Sequence, residues 1–121
     1  MIQRLLETAW PADLPAVQAR RLAEQGRRVL LADLTGLGRS AFPTAFVDAE
    51  PSASTVVPAF SRIRIQAVIA RMGPRPGWTV VHLVWAGADR GGTYTDGRLT
   101  DITFRHHLGD DTWIPLPPAT A

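Results

Sequence analysis

The chain has 121 residues, 45% of them hydrophobic and 20% charged, with no Cys and a formal charge of +2. Such a length suits one domain, its apolar share excludes a disordered chain, and zero Cys excludes disulfide scaffolds, thiolate nucleophiles and Cys-based zinc sites. The pI of about 10.4 reflects thirteen Arg and no Lys, because Arg hardly deprotonates, and not a basic patch.

The first ten residues read as a helix, with Ile2, Leu5, Leu6 and Ala9 at helical spacing. Trp10-Pro11 ends it, since the residue before Pro is pushed out of the helical region. A second helix is predicted from Asp13 as N-cap, with Pro15 in its first turn, to Gly26 as its C-terminal cap. The only close Arg pairs, Arg20-Arg21 and Arg27-Arg28, flank Glu24, the pattern of a solvated helix face; specific nucleic-acid binding is not expected.

The apolar run of residues 28–34, RVLLADL, is short enough for a buried strand, although periodicity alone does not separate strand from helix here. TGLGRS is turn material, AFVD (45–48) reads as a short strand and EPSAS (50–54) as a loop. A structureless stretch from 35 to 60 is unusual in a compact domain, so further structure is expected inside it.

Residues 61–72 alternate, with Ile63, Ile65, Ala67 and Ile69 on one face and Arg62, Arg64 and Gln66 on the other. Period two predicts a strand. Gly73 to Gly77 is a turn, and Trp78 to Ala86 a second strand that pairs back antiparallel. Residues 92–95 and 98–106 are predicted to pair across an Asp96-Gly97 hairpin turn. The Pro-rich tail from about 108 offers Trp113 and Ile114 for docking and is expected to fray at its end. Two N-terminal helices segregated to one face of a curved antiparallel sheet make an α+β fold, here one domain over residues 1–121. The longest apolar stretch, 78–88, is too short to span a membrane, and Arg4 and Glu7 interrupt any signal-peptide core. The cytoplasm is the expected compartment.

For chemistry, His82, His106 and His107 lack metal-ligand spacing, and adjacent histidines on a strand point to opposite faces. No metal and no cofactor are expected. Gly36-Leu37-Gly38 lacks the third Gly and the Lys of a phosphate loop, and no Ser has a nucleophile-elbow context. General acid–base chemistry remains. His82 sits among apolar residues in TVVHLVW, either as a proton-transfer group or as a core His donating to a carbonyl. Tyr94 offers a donor to an oxyanion or ordinary cross-strand packing. Asp33 is the acid of an apolar segment or a strand end reaching solvent, and His106 shares a face with Ile102 and Phe104. These four are the expected catalytic groups, with Trp10, Trp78, Trp85 and Phe104 lining the ligand.

The opening LLETAW-PADLPAVQARRLAEQ followed by a strand, and the closing GGTYTDGRLTDITF, resemble the nuclear-transport-factor-two-like superfamily, which includes ketosteroid isomerases and polyketide cyclases. The resemblance covers about half the chain. It implies a cone of curved sheet and helices around an apolar pocket, often in dimers; none of the superfamily's catalytic residues maps onto a position here. The leading expectation is therefore a small-ligand domain, an isomerase or cyclase working by acid–base catalysis on an apolar molecule, with a homodimer among the assemblies it allows. The rival is a non-catalytic interaction or assembly module that binds a partner protein. A closed cavity reaching His82 favours the first, and a filled core with an exposed apolar sheet face the second.

Overall fold

The computed structural model describes residues 2–46 and 59–120. Two helices, α1 (Ile2–Ala9) and α2 (Ala16–Thr35), precede a short 3-10 turn at Arg39–Ala41 and the strands β1 (Phe60–Met72), β2 (Trp78–Asp89), β3 (Tyr94–His107), β4 (Thr112–Pro115) and β5 (Ala119–Thr120). The sheet runs β1-β2-β3-β4, with β5 also paired to β3, and each pairing is antiparallel. Helices packed on an antiparallel sheet make this an α+β fold. The sheet does not close. Among the described residues no helix is long and apolar enough to cross a membrane.

The predicted strand at 28–34 is helix instead. α2 continues through Gly26 to Thr35 and ends on Gly36, whose φ of 77° and N–H bond to the Ala32 carbonyl close the last turn. Leu22, Gly26, Val29, Leu30 and Leu34 form its buried stripe, a helical period that the contiguous apolar letters conceal. Gly26 is there for contact: a Cβ on it would lie 2.6 Å from Val81 Cγ1. Asp13 is not the N-cap, because Pro15 holds that position, and the Asp13 carboxylate instead accepts the Met72 N–H at 2.9 Å.

The β1–β2 hairpin forms as expected, but the predicted common face of Ile63, Ile65, Ala67 and Ile69 does not: a register shift between Ile65 and Ala67 leaves Ile63 and Ile65 on the α2 core and turns Ala67 and Ile69 to the other face. Asp96-Gly97, however, does not turn the chain; it lies within β3, where Gly97 takes a φ of 63°. Trp85 pairs with Arg98 and Gly87 with Thr95, so Asp96 and Gly97 together oppose the single residue Ala86 in a bulge. The turn falls earlier, where Gly92 N–H bonds the Asp89 carbonyl and Asp89 N–H bonds the Thr93 carbonyl, both at 3.0 Å. The tail is ordered into β4 and β5 along the edge of β3. Of the predicted 45–48 strand, Ala45 is a buried turn residue; residues 47 and 48 and the predicted 50–54 loop lie outside the described residues.

The helices take opposite faces of the sheet. α2 packs with Val68, Ala70, Val81, Leu83, Trp85, Ile102 and Phe104, whereas Leu6 of α1 packs with Ala67, Ile69 and Val84, which alternate with them. The α2 side is the main core, filled by fully buried Trp85, Phe104, Leu30 and Leu83.

Candidate functional site

Two places among the described residues bring histidines and carboxylates together. The first is a half-open cleft of about 890 Å³ between α2 and the β3–β4 hairpin. Its helix wall presents Gln18, Arg21, Gln25 and Arg28 one turn apart, and its sheet wall presents His106 and Trp113. His106 shares the α2 face with Phe104, two residues back along β3, and is set opposite Trp113 by the β3–β4 register. Their rings lie 4.8 Å apart at 41°.

The hairpin sequence HHLGDD folds as nested pairs. His106 Nε2 meets Asp111 Oδ1 at 2.5 Å and His107 Nδ1 meets Asp110 Oδ1 at 2.9 Å. A carboxylate can only accept, so Asp111 fixes the proton of neutral His106 on Nε2 and leaves Nδ1 as the basic nitrogen. Asp111 reaches this position with a φ of 56°, in a region that Asp tolerates better than most residues. The His106 side chain is 22% exposed, sheltered yet reachable. Arg28 lies 3.9 Å from Glu24; Arg21 makes no ion pair among the described residues.

The second place is on the α1 face. His82 Nδ1 meets Asp101 Oδ1, its cross-strand neighbour, at 2.8 Å. The Trp10 ring stacks on the imidazole at 4.2 Å and 14°, and the Trp10 carbonyl accepts the Arg71 Nε–H at 2.6 Å. The His82 side chain is 10% exposed. This cluster ties the segment after α1 to the sheet, and His82 does not line the cleft.

The other expected residues are dispersed. Tyr94 is exposed at the start of β3 with the Arg62 guanidinium 5.6 Å over its ring. Asp33 lies near the end of α2, where burial raises its carboxyl pKa and Arg39 partly offsets this. Trp78 is half-buried beneath Arg75. Phe104 is a fully buried core residue, and so is Trp85, whose indole N–H donates to Thr100 Oγ1 at 3.0 Å. Of the expected site residues, only His106 lines the cleft. Sequence reasoning missed Arg21, Gln25 and Asp111 as its neighbours; the signal for Asp111 was the opposed His-His and Asp-Asp pairs across Leu108-Gly109. Among the described residues no three His, Asp or Glu side chains converge as a metal-ligand set.

No protein-family model matches the chain, and no curated protein and no solved structure matches it. Function is therefore argued from the site, since even a known fold would not settle it.

Proposed function

We propose that this domain binds a small molecule in the α2–β4 cleft and acts on it by proton transfer, with His106 as the general acid–base and Asp111 holding its tautomer. The observation that carries this reading is the His106–Asp111 pair in the wall of a cleft whose volume lies in the range of about 300–1,000 Å³ usual for ligand sites. Trp113 and Val17 offer apolar surface to a ring, and Arg21 offers an unspent charge to an anionic or carbonyl oxygen. A ligand with an apolar ring and one carboxylate or carbonyl suits that lining. With Nδ1 free to take a proton and return it elsewhere on the same molecule, the chemistry is that of a cofactor-independent isomerase or cyclase.

The test uses a library of aromatic and alicyclic carboxylic and keto acids, followed by amide chemical shifts. Binding should perturb Arg21, Gln25, His106 and Trp113 together, and Trp113→Ala should abolish it. For a bound keto acid, exchange of the proton next to the carbonyl with D₂O should fall about 10²–10⁴-fold in His106→Ala. Perturbations that cluster elsewhere, or exchange unaffected by that substitution, would overturn the reading.

The rival reading, a non-catalytic interaction module, is favoured by the filled core and by Leu5, Trp10 and Leu99, exposed apolar residues on the α1 side of the sheet. It expects no proton exchange with any cleft ligand, and loss of partner binding in Trp10→Ala.

A further inference from the structure

β1 is an outer strand of the sheet, and one stretch of its outer edge is occupied by side chains standing where a neighbouring strand would stand. The Gln3 carboxamide takes both backbone groups of Val68: the Val68 N–H donates to Gln3 Oε1 at 2.9 Å, and Gln3 Nε2 donates to the Val68 carbonyl at 2.8 Å. Two residues on, the Ala70 carbonyl accepts from Arg71 Nη1 at 2.8 Å. Two further, the Met72 N–H donates to Asp13 Oδ1 at 2.9 Å. Positions 68, 70 and 72 share one side of the strand by its period of two, the side turned away from β2. The segment 3–13 thus imitates the hydrogen bonding of a strand without being one.

This cover is weakly held. α1 has eight residues and buries only Leu6, and helices shorter than about 12–15 residues are marginal on their own. Its other anchors are the Trp10 stack on His82 and the Arg71 bond to the Trp10 carbonyl. Lifting it exposes a row of unpaired N–H and carbonyl groups, which is a template for strand addition.

We infer that the β1 edge at Val68–Met72 is a strand-pairing surface held shut by the segment 3–13, and that its occupant on opening is the β1 edge of a second copy of this chain. The edge is self-complementary. An antiparallel twofold pairing that sets Val68 against Met72 sets Ala70 against its own counterpart, so donors meet acceptors across the whole stretch. The same register keeps Arg62 and Arg64 of the two copies apart, because the positions opposite them lie past Met72. No like charges then face one another directly, the arrangement that destabilises a strand pair.

The experiment is sedimentation of the full chain and of Gln3→Ala/Asp13→Ala over a range of concentrations, with amide hydrogen exchange at Val68 and Met72. The double variant should dimerise at least about tenfold more tightly than the unchanged chain, and its Val68 and Met72 amides should exchange rapidly when dilute and slowly when concentrated. Adding Met72→Pro removes an outward N–H and no β1–β2 ladder bond, and should return the mass to that of the unchanged chain. If the double variant fails to fold, Gln3→Ala alone decides by the same readouts. A folded variant that keeps the mass of the unchanged chain at every concentration overturns the inference, even if it captures other proteins. Self-association that survives Met72→Pro overturns it too.

Discussion

Gly26 and Val81 set how closely α2 approaches the sheet: a methyl group on the helix residue would come within 2.6 Å of Cγ1 of the strand residue. Gly26→Ala should therefore destabilise the fold by up to about 2 kcal/mol, because overpacking costs about 1–3 kcal/mol against the roughly 1 kcal/mol gained in helix propensity. Urea unfolding of Gly26→Ala, Val81→Ala and the double variant should show strong coupling, the smaller strand residue making room for the new methyl. Additive effects would refute the clash.

Thr79 Oγ1 is buried and has no hydrogen-bond partner among the described residues. Thr79→Val keeps the shape and removes the stranded hydroxyl, so it should raise stability by about 1 kcal/mol, seen as a higher urea midpoint at unchanged slope. A loss of stability would mean that the hydroxyl is satisfied.

His82 joins Trp10 to Asp101 on the face away from the cleft. His82→Ala should cost about 1.5–3 kcal/mol, the range for a bond to a charged partner, and change the emission of Trp10. Binding in the cleft should stay intact in the folded fraction. Loss of cleft binding without loss of stability would move the active centre to the α1 face.

Two carboxylates give opposite pH slopes. Burial raises the Asp33 pKa above its ordinary 3.8, with Arg39 opposing. The folded chain then holds that proton more tightly than the unfolded one, so this contribution is full below 3.8 and is lost as pH rises through the higher folded value. The hydrogen bond from Thr112, and then that with His107, lowers the pKa of Asp110 below its ordinary 3.8; its contribution is full above 3.8 and is lost as pH falls through the lower value. In stability–pH curves, Asp33→Asn should flatten the decline above 3.8 and Asp110→Asn the decline below it. Unchanged slopes would show that neither carboxylate is linked to folding.

The alternation over 61–72 made β1 readable as a strand, but not the single face it assigns to Ile63, Ile65, Ala67 and Ile69, because an irregularity after Ile65 reverses the facing of the residues that follow. The 28–34 segment was not readable, because its apolar residues are contiguous and Gly26 looked like a terminator when its missing side chain serves contact with Val81. Asp96-Gly97 carried the chemistry of a turn, but a glycine at positive φ serves a bulge equally well, and only the pairing on both sides decides which. At the site, His106 was found from its place on the Phe104 face. Arg21 and Gln25 escaped notice because a solvated helix face and a cleft wall have the same composition. The importance given to His82 followed from its apolar neighbours, which say that it is sheltered and nothing about what it faces.

The strands β4 and β5 lie one after the other along the outer side of β3, and the Leu116 N–H between them donates to the Thr103 carbonyl at 2.8 Å. Beyond them the chain shows only four residues of β4, ending in Pro115, and two of β5, with Pro117 and Pro118 between. Short strands and prolines are poor templates for a further neighbour. Among the described residues only the β1 side then remains as a template, so if that edge pairs as inferred the sheet has a valence of one. Growth through it stops at a closed pair, and an open-ended fibre would need a second growing end.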